Sequence, residues 1–581
     1  MAMAKDEIMA TSPSPNLNFE SMITTPFMDL NNGTVRSILT LPPDAAGAVG
    51  PNHVMAFSNS HIKIQGKNGE SCCIAGAGNT PYPFIPLNQF WSPLSGFQPY
   101  YECFDPRIVF LHENQKWVAV TVAGNTNSKS EILLAVSRTS DPTGSWLYYK
   151  IDAQANSAGQ TKDNAWADYP TIGYNKDWFV ISANMFDGPT NTFTKVWVIT
   201  KSNLINTPFL LNPPRIIRKN LGTTYEASSG TLVPTITYDN SNNMFFVERW
   251  LTWCIKVWSL SGNIGSETLN VKGIIANAED FYRPNAPLSQ SQNNKSYAFC
   301  YNPQTSETHL SSNDFRIQNA ICRNNRIWLA HHVRHASNSS YIGISWYKIN
   351  PGILASDTPI IESWGKIQDP NKVVQYAYPA LAVNNNNDVF MSFTATSPLM
   401  HPSCAYAFKK STDASFRDPH IYHSGNANYT SPQNTYWGTG SRWGDYMSAS
   451  VDPNGIDFWA LTQYSVQDCP SFNPDRWALR WARVNASNVA TRQSMNQIAS
   501  AENRLNYLQS LELFPNPAED LLIINNLNDK VNYKICVATG GSLVLQGTTM
   551  KEINISTLKL GVYFVQIEYN ESVIIKKLIK Q

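Results

Sequence analysis

Residues 167–186 read ADYPTIGYNKDWFVISANMF, and the order of residue types in this stretch decides how the chain folds. A turn with Asp, Tyr and Pro leads into a short apolar run; a polar hairpin turn follows, and an aromatic-rich apolar run returns. Short apolar runs bounded by turn formers specify strand–turn–strand rather than helix. The same order recurs in GAVGPNHVMAFSNSHIKIQGKNG (47–69), FDPRIVFLHENQKWVAVTV (104–122) and LVPTITYDNSNNMFFVERW (232–250). It recurs again in IQNAICRNNRIWLAHHVRH (317–335), AYPALAVNNNNDVFMSFTA (377–395) and GDYMSASVDPNGIDFWALTQY (444–464). Several copies carry a further strand pattern, at 132–140, 195–202, 255–262, 341–349 and 477–484. A repeated all-β unit of this kind predicts radially arranged sheets, and seven copies predict a seven-bladed β-propeller. The spacing of the copies is uneven, so long loops must leave some blades, and such loops are where function concentrates.

Composition agrees with an all-β chain. Charged residues make up 15% and aromatic residues 12%, which suits half-buried strands and neither a coiled coil nor a disordered chain. A net charge of +1 offers no electrostatic footprint for nucleic acid. No apolar run approaches the roughly 20 residues of a transmembrane helix, so no transmembrane segment is expected. The nine cysteines are scattered, without the paired spacing of a zinc site; their odd number leaves at least one unpaired in an exported protein. Nucleophile-elbow, H-E-x-x-H, P-loop, dinucleotide and EF-hand motifs are missing, so no cofactor and no metal are expected.

The end of the chain reads differently. LELFPNPAEDLLII (511–524), YKICVAT (533–539), SLVLQG (542–547), INISTLKLGVYFVQIEY (553–569) and ESVIIKKLIKQ (571–581) are short strands divided by Pro, Gly and Asn turns, the pattern of a small β-sandwich. The order Phe514-Pro515-Asn516-Pro517, Asp520-Leu-Leu-Ile, a Gly turn, Leu560-Gly561-Val562-Tyr563 and a Lys-rich last strand resembles the type A C-terminal sorting domain of the Bacteroidota type IX secretion system. That resemblance implies recognition of residues 511–581 by outer-membrane secretion machinery, removal of the module, and a secreted or surface-attached product. The first residues, MAMAKDEIMATSPSPNLNF, show no apolar signal-peptide core, which stands against export; the specificity of the other end outweighs it. The expected layout is an N-terminal extension (1–45), the propeller (46–484), a polar linker (485–510) and the sorting sandwich (511–581).

SDPTGSWLYYKID (140–152), the Asp-Tyr-Pro turn at 168–170 and SRWGDYMSASVDP (441–453) make the large domain similar to extracellular sialidase-like propeller proteins. The first of these is close to an Asp-box turn, whose role in that family is to fold a blade hairpin; it has one extra residue before Gly144. No arginine motif matching the family's carboxylate site is evident, so sialidase activity is not implied.

Residues that begin the inner strands of a propeller surround one mouth of its channel. The candidate catalytic residues are therefore Asp105, Asp168, Glu248 and Asp445, with Tyr169 and Tyr446 assisting, because paired carboxylates are what glycoside cleavage requires. Asp at such places also closes turns through nearby backbone N–H groups, which is the plainer reading of each. Arg107, Arg249 and Arg442 are candidate substrate clamps, Arg being suited to bidentate recognition. Trp437 and Trp443, in the Gly-rich loop 434–446, are candidate sugar-stacking rings, although most aromatic residues must simply fill blade interfaces. His332 belongs to the one histidine concentration of the chain, where lining or packing outweighs metal binding. The expected partner is an extracellular polysaccharide or glycoconjugate, met either by a glycoside hydrolase or polysaccharide lyase or by a non-catalytic adhesin.

Overall fold

Each recurring stretch forms the first strands of a four-stranded antiparallel sheet in the computed structural model, which describes residues 11–489 and 510–581 apart from internal loops, the longest at 73–83, 221–230, 277–296, 301–307, 430–440 and 467–475. In ADYPTIGYNKDWFVISANMF the two strands are Trp166–Tyr174 and Trp178–Asp187. Asn175 makes the turn between them, its Oδ1 accepting the N–H groups of Asp177 and Trp178. Asn384 and Asp452 close the corresponding turns of two later copies in the same way. The short polar side chain thus substitutes for a backbone acceptor, which is why Asn and Asp punctuate the repeat.

Among the described residues there are seven such sheets: unit I (46–86), II (103–152), III (166–220), IV (233–276), V (320–367), VI (375–423) and VII (448–484). Their innermost strands run parallel where they meet, with Tyr174 opposite Ile236 and Thr235 opposite Ala320. Each innermost strand touches the next around a closed ring. Unit VII returns to unit I, where Gly47 N–H donates to Ser448 Oγ at 2.8 Å. We read the seven sheets as the blades of the propeller. Strands inside such a ring are covered on both faces: Gln375–Val383 and Val389–Ser397 are buried at every position, so they read as apolar runs rather than alternations. Backbones approach closely enough that a Cβ on Gly173 would sit 2.5 Å from Thr235 O.

The outermost strand of unit VII is Leu17–Ile23, paired antiparallel with Trp477–Val484. Residues 1–45, expected to be an extension outside the propeller, therefore contribute a strand to it. Phe19 meets Trp459 edge-on at 6.2 Å and Met22 is buried against the same core. Joining both ends of the domain in one sheet covers an edge that would otherwise present unpaired backbone groups. LNFESMI carries no turn signature of the repeat, and its pairing partner lies at the far end of the domain.

The chain divides into two compact units, Met1–Val489 and Ala490–Gln581, and most of the expected linker lies outside the described residues. In the second unit a three-stranded sheet (Glu512–Phe514, Leu521–Asn525, Glu552–Asn554) and a four-stranded sheet (Leu543–Thr549, Val531–Val537, Gly561–Tyr569, Ser572–Lys580) enclose Leu522, Ile524, Ile535, Val565 and Leu578. Alternation along Gly561–Tyr569 places Tyr563, Val565 and Ile567 on the buried face.

Deleting residues 1–23 should lower the unfolding midpoint of the propeller by several degrees. Met22→Ala alone should cost about 2 kcal/mol or more, as truncation of a buried Met does, measured by denaturant unfolding of the full chain.

Candidate functional site

The Asp/Tyr-Pro turns of the repeat are bulges with a residue in the left-handed region. Asp44, Asp105, Tyr169 and Tyr378 have φ of 46°, 54°, 50° and 58°. In units II, III and VI the ladder register breaks at that point, between Phe104 and Arg107, Asp168 and Thr171, and Ala377 and Ala380. A non-glycine residue in this conformation costs about 1–2 kcal/mol, so neighbours must hold it there. The bulge turns the N–H of the left-handed residue away from its own sheet, and the preceding unit supplies the acceptor. Tyr169 N–H donates to Asp105 Oδ2 at 3.0 Å, and Asp105 N–H donates to Asn59 Oδ1 at 2.7 Å. Asn59 Nδ2 donates to Asp44 Oδ2 at 2.6 Å, and Asp445 N–H donates to Asp44 Oδ1 at 2.7 Å. Units VII, I, II and III are thereby linked in a hydrogen-bonded belt around one end of the ring.

The belt draws carboxylates together. One oxygen from each of Asp44, Asp105 and Asp445 lies within 4.8 Å of the others. Asp44 is 1% exposed, Asp105 5% and Asp445 6%, whereas Asp168 beside them is half-buried. Burial and the charge of Asp445 push the Asp44 carboxyl up to about 7, against the opposing pull of Arg442. Burial, then Asp168 and Asp44, raise Asp105 well above the ordinary carboxylate range, and burial followed by Asp445 raises Asp168. Both oxygens of Asp44 accept N–H donors, from the Asn59 amide and the Asp445 backbone.

Arginines frame the acids. Arg442 Nη2 donates to Asp445 Oδ2 at 2.8 Å, and its side chain is 44% exposed, on the solvent side of the cluster. The strand Thr308–Ser311, from the long insertion before unit V, pairs in parallel with Ser441–Arg442 and fixes its backbone. Arg107 lies 3.3 Å over the Tyr446 ring and donates through Nε to Pro170 O at 2.8 Å. Arg316 lies 4.3 Å over the Tyr169 ring. Beneath this rim a cavity follows the axis and is walled by the innermost strands of all seven units.

Of the residues expected at the site, Asp105, Asp168, Asp445, Tyr169, Tyr446, Arg107 and Arg442 converge here. Tyr446 and Tyr169 do so as buried scaffolding: the Tyr446 hydroxyl donates to Pro106 O at 3.0 Å, and burial pushes its phenol well above its ordinary value. Glu248 does not join them. It is 1% exposed, ion-paired with Lys219 and with Lys256 at 3.7 Å, and accepts the Trp258 indole N–H at 2.9 Å, which makes it a structural anion. Arg249 stands half-buried at the end of the same strand, Met244–Trp250. Trp443 corrects the stacking expectation. It is fully buried, edge-on to Tyr429 at 4.7 Å, and its indole donates to Thr394 Oγ1 at 3.1 Å, so its ring cannot meet a sugar. Trp437 lies outside the described residues, and His332 is placed only as part of the strand Arg326–His335. The Asp-box-like turn does what its resemblance implies: Asp141 Oδ1 accepts the Thr143 N–H at 2.9 Å, and the Trp146 indole donates to Pro142 O at 3.0 Å.

Asp44, Asn59, Arg316 and Gln318 were not anticipated. Asp44 carries a signal in retrospect: Pro43-Asp44 precedes the GAVG strand as Phe104-Asp105 precedes RIVF, so it is the first member of the repeat's own Asp position.

Comparison with known proteins bears mainly on the other end of the chain. Residues 512–581 match the family model of the secretion system C-terminal sorting domain. This module is a type IX sorting domain. It engages the type IX secretion machinery, and the protein is exported to the cell surface or secreted. The motif residues of the sorting domain have mechanical roles: Asn516 accepts the Ile579 N–H at 2.9 Å and donates to Lys577 O at 2.8 Å, pinning the Pro-bracketed turn to the last strand. Among the described residues, no helix is long and apolar enough to cross a membrane. No curated protein matches the chain.

Among solved structures, the chain is similar to PorZ, a bacterial surface component of the type IX secretion system of Porphyromonas gingivalis (11% identity, TM-score 0.18, covering 95% of this chain and 72% of that one). It is similar to the Hadza microbial sialidase Hz136 (8%, 0.34, 78% and 76%). It is also similar to the α-L-arabinofuranosidase Arb93A from Fusarium graminearum (10%, 0.36, 82% and 99%). The chemistry of the mouth therefore has to be argued from its own residues.

The raised value at Asp44 makes stability depend on pH with a defined sign. Below the ordinary value of 3.8 the Asp44 carboxyl is protonated whether folded or unfolded; between there and about 7 only the folded form holds the proton. Its contribution to stability is therefore intact at low pH and is lost as pH rises through that window. In buffer freed of divalent ions, calorimetry across the window should show Asp44→Asn flattening the fall relative to the parent. Equal slopes in the two proteins would remove Asp44 as the titrating group.

Proposed function

We propose that the exported propeller engages an extracellular polysaccharide or glycoconjugate at the channel mouth. The observation that supports this is the placing of a half-buried carboxyl of raised proton affinity, Asp168, near the exposed guanidinium of Arg442 at the open end of the ring. A carboxyl whose proton affinity is raised serves as a general acid toward a glycosidic oxygen, and a guanidinium holds hydroxyl or carboxylate groups of a sugar. On the catalytic form of this proposal, Asp168 is the acid that reaches substrate. Asp445 acts from below by raising its proton affinity, Asp105 holds the Tyr169 N–H beside it, and Tyr169 and Tyr446 fix the bulges that present it. The burial of Asp105 and Asp445 favours a second form, a non-catalytic adhesin, because it leaves a single carboxyl of the group open to a ligand where hydrolysis employs two.

One experiment separates the two forms. The purified chain is incubated with a panel of polysaccharides and glycoconjugates, and both soluble products and polymer retention are measured by mass spectrometry and pull-down. Product that disappears in Asp168→Asn, with a loss of about 100-fold or more in rate, establishes cleavage. Retention without product, weakened by Arg442→Gln, establishes the adhesin. Neither product nor retention on any polymer overturns the glycan proposal.

A further inference from the structure

The carboxylate nest beneath the mouth has a feature that neither raised proton affinity nor glycan binding uses. Gln463, on the second strand of unit VII, is fully buried. Its Nε2 donates to Trp443 O at 2.8 Å, which fixes the orientation of the amide, while its Oε1 meets no hydrogen-bond donor among the described residues. That oxygen and Asp44 meet at Gly444: a Cβ on Gly444 would lie 3.3 Å from Gln463 Oε1 and 3.6 Å from Asp44 Oδ1. Gln318 repeats the arrangement from the channel side. It is 4% exposed, its Nε2 donates to Asp445 O at 2.8 Å, and its Oε1 also lacks a donor. A buried amide oxygen without a partner costs about 1–3 kcal/mol, and one that meets Asp44 at Gly444 beside two further carboxylates calls for a positively charged ligand.

We propose that Asp44, Asp105 and Asp445, together with the amide oxygen of Gln463, bind one calcium ion. Calcium takes oxygen ligands at about 2.3–2.6 Å, so oxygens on opposite sides of the ion stand about 4.6–5.2 Å apart. Three carboxylate oxygens within 4.8 Å of one another fit around such an ion. Mixed carboxylate and amide oxygens without regular octahedral placement suit calcium better than magnesium, which keeps its waters and demands regular geometry. Arg442 does not occupy the place, since it reaches Asp445 Oδ2 from the exposed side. The ligands come from units I, II and VII, so the ion would fasten the ring where its last blade meets its first. This inference does not depend on the glycan proposal, because the ion would join those units whether or not the mouth holds a sugar.

The test is calcium chloride titrated into the chelator-treated full chain, followed by calorimetric binding and thermal unfolding, with magnesium chloride in parallel. The expected result is one calcium per chain, with a dissociation constant on the order of 10⁻⁴ M or tighter and a raised unfolding midpoint. Asp44→Asn and Gln463→Ala should each weaken binding by about tenfold or more, with circular dichroism confirming that each variant folds. If Asp44→Asn does not fold, Gln463→Ala carries the test alone. No saturable binding by the parent chain, unchanged affinity in the folded variants, or equal affinity for magnesium overturns the assignment.

Discussion

The site depends on a demand that burial places on carboxylates. An acid removed from water is tolerated only if it is hydrogen-bonded, neutralised or protonated. Asp105 meets the first condition by accepting the Tyr169 N–H that a left-handed bulge turns outward from the neighbouring blade, and Asp44 by accepting the Asp445 N–H and the Asn59 amide. The bulge and the acid need each other: without the acid a strained backbone would present an unsatisfied N–H, and without the bulge the acid would lack its donor. The second and third conditions are met by Arg442 at Asp445 and by the raised values at Asp44, Asp105 and Asp168. One arrangement thus fixes the blades to each other and leaves a polarised rim.

Polarity is graded along the axis. Asp168 and Arg442 face outward, Asp44, Asp105 and Asp445 sit below them, and the cavity beneath is walled by small and branched residues such as Ala48, Val109 and Ala320. A ligand approaching from solvent would meet the guanidinium and the half-buried acid before anything else. The ring is closed by backbone hydrogen bonds, since Leu17–Ile23 and Trp477–Val484, from opposite ends of the domain, share one sheet. The rigidity of the mouth rests on that closure, because Asp445 and Asp44 belong to the two units that meet there.

Most of the strand order was legible in the chain itself. Asp-Tyr-Pro and its relatives mark the turn that enters an inner strand, and Asn175, Asn384 and Asp452 mark turns because their side chains cap nearby N–H groups. These are local causes acting over a few residues, and local sequence reports them. The sorting domain was legible for the same reason, its Phe-Pro-Asn-Pro turn and Leu-Gly-Val-Tyr strand being short and contiguous. Leu17–Ile23 was missed because an edge strand is defined by what it pairs with, and its partner is at the other end of the domain.

The sequence by itself determined that this protein is an exported all-β chain with repeated strand–turn–strand units and a sorting module, because period, turn chemistry and contiguous motifs are properties of neighbouring residues. Only the tertiary structure decided what the polar residues do. Trp443 and Glu248 have the composition of ligand-facing groups, yet one is packed beneath Tyr429 and the other is enclosed by lysines and an indole. Asp44 and Asp445 are at opposite ends of the domain and become neighbours only when the ring closes. Exposure, ionisation and convergence are set by distances through space, and no pattern along the chain records them.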